Sequence, residues 1–80
     1  MDKQVKELNL LLLYLSSWEE ESRNNPGERL YRSWKGYKFD VLNELANDKF
    51  IRQSKESKSV IITDTGRAEA ERLKKHYLEA

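Results

Sequence analysis

The side chains able to do chemistry in this 80-residue sequence are mostly cations, and they fall in two series. Arg29, Arg32, Lys35 and Lys38 recur at three-residue intervals, and Lys49, Arg52, Lys55 and Lys58 follow. Cations grouped this way neutralise phosphates and release counterions from a polyanion. Segment 49–63 holds four basic residues and one acid, a net of +3. Between the series lie Asn43 and Asn47, of the type that pairs with adenine in the major groove. Residues 37–48, however, set Lys38 against Asp40, Glu44 and Asp48, a net of −2. Those carboxylates repel a phosphate backbone and suit a protein partner instead. The plainer alternative for the cations is a solvated surface: a charged hairpin tip that discourages strand pairing, and ion pairs that add little stability.

Other reactive types stand alone. Trp34, Tyr37 and Phe39 surround Gly36. An exposed aromatic beside a cation can stack on a base. With so few large side chains in the chain, these three are assigned to the core, and Trp18 with them. Glu19-Glu20-Glu21 reads as a solvated helix end, because no further oxygen ligands follow at a metal-binding spacing. His76 is the only histidine. It has no nucleophile elbow, His-Glu-x-x-His motif or glycine-rich phosphate loop to work with. The expectation is therefore no enzyme, no cofactor and no metal.

Positioning these residues needs a small core. The chain is 38% hydrophobic and 36% charged, and its 15 basic and 14 acidic residues leave a net charge of +1. That balance excludes a generally polycationic coat and an acidic disordered tail. Without cysteine there is no disulfide framework and no thiolate site. Met1-Asp2-Lys3-Gln4 does not read as a signal peptide, and the leucine run is too short to span a membrane. A cytoplasmic protein with no membrane partner is expected.

Residues 2–21 read as a helix with Val5, Leu8, Leu11, Leu12, Leu15 and Trp18 on one broad stripe and Leu10, Leu13 and Tyr14 on the other side. Such a helix is apolar almost all round and needs cover on two faces. Asn24-Asn25-Pro26-Gly27 ends it, with Pro-Gly fitting the middle of a type II turn. Residues 28–33 leave room for one short helix. A further helix spans 37–48, with Phe39, Leu42, Leu45 and Ala46 inward and Lys38, Asp40, Asn43, Glu44 and Asn47 outward. Residues 50–53 and 59–63 read as two strands of a hairpin with its tip near 55–57. Thr63 caps a last helix whose stripe is Gly66, Ala70, Leu73, Tyr77 and Ala80.

That order, with the run Phe39-Asp40-Val41-Leu42-Asn43-Glu44-Leu45, then Phe50-Ile51, then Lys58-Ser59-Val60-Ile61-Ile62-Thr63-Asp64-Thr65-Gly66-Arg67-Ala68, resembles a winged helix-turn-helix of the MarR/PadR pattern. Asn47-Asp48-Lys49 stands where the pattern often has a glycine. Residues 34–43 also resemble a small prokaryotic family of winged-helix-like proteins with no assigned function. The resemblance implies one α+β domain over 1–80, mostly helical with a two-stranded β-hairpin wing. It implies a third helix in the major groove and a wing on the backbone. The expected function is a DNA-binding module of transcription-regulator type, weak in sequence preference, with double-stranded DNA as its partner. Its contacts would be Arg29, Arg32, Lys35, Lys38, Asn43, Asn47, Arg52, Lys55 and Lys58. The alternative is a protein-interaction winged helix without DNA binding. From that two-sided first helix and the same resemblance a homodimer is expected, joined through Leu10, Leu13, Tyr14, Leu73 and Tyr77 of the first and last helices; the alternative is a monomer in which the last helix covers the second face of the first.

Overall fold

The computed structural model describes residues 2–22, 25–35, 39–54 and 56–79. Helix α1 (Lys3–Leu15) starts where the Asp2 side chain accepts the Gln4 amide at 2.9 Å. It ends six residues short of the expected boundary. Ser16 Oγ donates to the Leu12 carbonyl at 2.7 Å and Ser17 Oγ to the Tyr14 carbonyl at 2.6 Å. Two hydroxyls thus take last-turn carbonyls and release the chain from the helix.

The released segment becomes strand β1 (Trp18–Glu21), and the short helix expected at 28–33 is strand β2 (Arg29–Trp34). The Pro-Gly turn survives, but it joins two strands. Glu28 N–H donates to the Asn25 carbonyl at 3.0 Å, and Gly27 takes the positive φ of 95° that a type II turn requires at its third residue. Glu19-Glu20-Glu21 is therefore not a helix end, where the dipole would oppose it. Across the hairpin Glu20 reaches Arg32 Nε at 2.8 Å and Glu19 lies 3.9 Å from Arg29.

Helix α2 (Phe39–Asn47) buries Val41, Leu42 and Leu45. Phe39, expected inward, is 71% exposed, because at 100° per residue it falls well outside the stripe those three define. The helix closes with Phe50 N–H on the Leu45 carbonyl and Lys49 N–H on the Ala46 carbonyl, both at 3.0 Å. This is a Schellman closure, and its left-handed position is Lys49 at φ 68°. The glycine missing from the sequence pattern is missing at the residue whose backbone favours one.

Strands β3 (Ile51–Gln53) and β4 (Ser59–Ile62) form the expected antiparallel hairpin, and the sheet has four strands in the order β1-β2-β4-β3. Helix α3 (Asp64–Leu78) begins at Thr63, whose Oγ1 accepts the Gly66 amide at 2.9 Å. The same hydroxyl reaches the Lys49 and Phe50 carbonyls at 2.6 and 3.0 Å, so one residue ties helix to hairpin. Gly66 is needed there. A Cβ on it would lie 2.0 Å from the Phe50 carbonyl oxygen.

The helices cover one face of the sheet. Leu10 and Leu13 of α1, the α2 stripe, and Ala70 and Leu73 of α3 meet Ile51, Val60 and Ile62 in one core. Helix α3 runs antiparallel to α1. Tyr77 Oη donates to Glu7 at 2.9 Å, and Arg72 lies 3.5 Å from the same carboxylate. This corrects the expected dimer surface. Leu10, Leu13 and Leu73 are buried inside one chain, and Tyr14 and Tyr77 pack against that core. The side of α1 turned away from the core carries Leu8, Leu12 and Leu15, which are 43, 60 and 51% exposed. Among the described residues no helix is long and apolar enough to cross a membrane.

Candidate nucleic-acid interface

A row of cations spaced for a helix does not stay a row on a strand, where successive side chains alternate between faces. Arg29 lies on the helix-covered side of β2, near Glu19. Arg32 lies on the opposite face, where its Nη1 also donates to Ser59 Oγ at 3.2 Å. Lys35 leaves both and donates from Nζ to the Ser54 carbonyl at 2.8 Å. The first basic series is thus dispersed, and two of its members are held by acids. Lys38 and Lys55 lie outside the described residues.

The second series keeps its place. Lys49 sits in the turn before β3, Arg52 within β3 and Lys58 just before β4, all exposed. Among the described residues no salt bridge holds any of the three; the cations that are paired are Lys6, Arg29, Arg32, Arg67, Arg72 and Lys74.

The outer face of α2 carries Asp40, Asn43 and Asn47 in solvent, with Glu44 half-buried. Asn43 Oδ1 accepts from Gln53 Nε2 at 2.8 Å, which couples helix to hairpin. Lys35, Phe39, Asn43, Gln53 and Ser54 line an open cleft of about 460 Å³ between them. Two sequence-predicted residues, Lys35 and Asn43, therefore come together, beside an aromatic ring that sequence reasoning had placed in the core.

Sequence reasoning missed the uncovered face of the sheet. Pairing sets Trp18 opposite Arg32, Arg32 opposite Ile61, and Arg52 opposite Ile61, one row across all four strands. Trp34, on the same face of β2, is 64% exposed instead of buried. Its ring centre lies 5.0 Å from that of half-buried Trp18. Glu20 binds two members of this surface, accepting from Trp18 Nε1 at 3.0 Å and from Arg32 Nε at 2.8 Å. The available signal was the symmetry of acids and bases about Pro26-Gly27, which favours a hairpin over two helices. On the other face Arg67 stacks over the Tyr31 ring at 3.8 Å, and Tyr31 Oη donates to Glu19 at 2.6 Å. That hydrogen bond holds the Tyr31 phenol above its ordinary pKa.

The fold and this surface define a small α+β domain: three helices on one face of an antiparallel four-stranded sheet, with the other face open. The chain belongs to the family described as Domain of unknown function (DUF6429), whose profile matches residues 1–80. Neither the curated proteins nor the solved structures contain a match to the chain.

Proposed function

We propose that the chain is a cytoplasmic nucleic-acid-binding module of winged-helix-like build that grips duplex DNA through its β3–β4 hairpin, in the service of transcription regulation. The observation that carries this is that Lys49, Arg52 and Lys58, spread along one hairpin from its base to its tip, are exposed and held by no salt bridge among the described residues. Topology supports it. After α2 the chain runs β3–β4–α3, and β2 adds to β4 to give the three-stranded order β2-β4-β3 of a wing, with β1 as an extra edge. The helix expected to precede α2 is β2, so among the described residues α2 has no helix-turn-helix partner, and its exposed face carries Asp40. Backbone contact without base reading follows, which gives weak sequence preference.

A salt titration on random duplex DNA tests this. Replacing Lys49, Arg52 and Lys58 together by alanine lowers the slope of log affinity against log salt by up to about 3, at about 0.9 per phosphate contact. An unchanged slope, or no binding by the unaltered protein at low salt, refutes the reading.

One observation favours protein association as a second reading. Leu8, Leu12 and Leu15 form a bare stripe on α1. A homodimer joined there leaves the hairpin free. Light scattering shows it as twice the 9.5 kDa chain mass, and Leu12→Glu returns it to a monomer.

A further inference from the structure

We propose that the open face of the sheet is a stacking surface for unpaired nucleotides, so that the protein binds single-stranded nucleic acid there. This rests on the nucleic-acid reading above and adds a second contact surface to it. Three features converge on one face. The first is the Trp18–Trp34 pair, with Trp34 largely bare and the ring centres 5.0 Å apart. Aromatic faces presented by an antiparallel sheet take bases of any sequence, because every base has a π-face. The second is charge. Arg32 and Arg52 flank Ile61 in the row that begins at Trp18. Adjacent strands lie about 4.8 Å apart, so the row spans about 14 Å of sheet from β1 to β3. That length suits a short run of backbone with its bases toward the tryptophans and its phosphates toward the arginines. The third is an open depression of about 380 Å³ bounded by Arg32 and Arg52, with Ser57, Ser59, Ile61 and Glu56 also lining it.

The chemistry of the face selects the partner. Leu30 and Ile61 are half-buried, and hydroxyl and guanidinium groups surround the depression, so the apolar area suits a protein core poorly. A polyanion carrying flat rings satisfies both parts. A duplex does not, because its π-faces are stacked inside. Glu20 lies against Arg32 at 2.8 Å and fixes that side chain beside the indoles, so the cation of the row that no salt bridge holds among the described residues is Arg52.

The chain has two tryptophans, and both lie on this face, so tryptophan emission excited at wavelengths that tyrosine does not absorb reports on it alone. The probe is an oligothymidylate of about 15 nucleotides at about 0.05 M salt, compared with a duplex of equal length. The single strand is expected to quench tryptophan emission, and the duplex much less. Trp34→Ala is expected to weaken single-strand binding about tenfold or more, the loss of one stacked base, while Trp34→Phe keeps most of it. Arg52→Glu, at an exposed position that does not endanger folding, is expected to weaken it as well. Equal quenching by both probes, or Trp34→Ala binding the single strand within about twofold of the unaltered protein, overturns the proposal. So does emission that ignores nucleic acid but shifts to the blue as the protein alone is concentrated, which would mark a contact between copies. Duplex binding that depends on Lys49 and Lys58, together with single-strand binding that does not depend on Trp34, would overturn this proposal while leaving the hairpin reading intact. Loss of duplex binding with single-strand quenching retained would do the reverse.

Discussion

Adding one methyl group at Gly66 tests how α3 is locked to the hairpin. Judged by helix propensity alone, Gly66→Ala should stabilise the first turn of α3 by about 1 kcal/mol. The tertiary structure opposes this. The new Cβ would lie 2.0 Å from the Phe50 carbonyl oxygen, 2.8 Å from its carbon and 3.1 Å from Ile62 Cγ2. Carbon–oxygen contacts ordinarily stop near about 3.3 Å, so α3 must retreat from β3 by roughly an ångström. That movement strains three hydrogen bonds at once: Thr63 N–H to the Phe50 carbonyl at 3.0 Å, Thr63 Oγ1 to the same carbonyl, and the Gly66 amide to Thr63 Oγ1 at 2.9 Å. Loss of the cap costs about 1 kcal/mol, and a weakened buried backbone bond about as much again. Displacing Ala70 and Leu73 from the core adds an overpacking cost of about 1–3 kcal/mol. Net of the propensity gain, Gly66→Ala destabilises by about 2–4 kcal/mol. For a domain of this size that lowers the melting temperature by roughly 10–25 °C. Urea denaturation followed by far-UV circular dichroism measures it. Gly27→Ala is the control. It meets nothing within 4 Å and loses only through its φ of 95°, at about 1–2 kcal/mol. A Gly66→Ala protein as stable as the unaltered one would show that α3 does not seat on the Phe50 carbonyl.

Lys49→Gly removes a left-handed lysine from the closure of α2 and should raise stability by up to about 1 kcal/mol, read as a higher urea midpoint. Ile62→Ala opens the core beside Ile51 and should cost about 2–5 kcal/mol in the same assay. Alkaline pH should destabilise the fold. A hydrogen bond to Asp48 raises the Lys6 pKa, and bonds to Glu71, Glu19 and Glu7 raise those of Tyr14, Tyr31 and Tyr77. A pKa raised by folding contributes stability that is complete below the unfolded value and is lost as pH rises through the folded one. The urea midpoint should therefore hold to about pH 9 and fall above about pH 10. A midpoint unchanged to pH 11 would refute this.

The parts of the fold that were legible in the sequence are those set by local chemistry. Helix α2, the β3–β4 hairpin, the Pro26-Gly27 turn and the Thr63 cap each depend on residues within a few positions, and each stands where the pattern puts it. The parts that were not legible depend on partners far along the chain. Six residues such as Arg29–Trp34 make too short a helix to be stable by themselves. They become a central strand because Val60 and Ile62 of β4 lie opposite Ser33 and Tyr31. The site follows the same division. Lys49, Arg52 and Lys58 stay on one hairpin because the hairpin is formed by residues close in sequence. Arg29 and Arg32 separate because a change from helix to strand changes which residues share a face. The same change brings Trp18 and Trp34, sixteen positions apart, into ring contact. Aromatic residues placed in the core by composition thus come to the surface through a single reassignment, of β1 and β2. Glu20→Lys leaves the local propensity of β1 little changed but opposes Arg32 across the hairpin. If pairing of the two strands sets the indole face, that substitution should lower Trp18–Trp34 contact, seen as altered near-ultraviolet tryptophan dichroism, while the helical signal from α1, α2 and α3 persists.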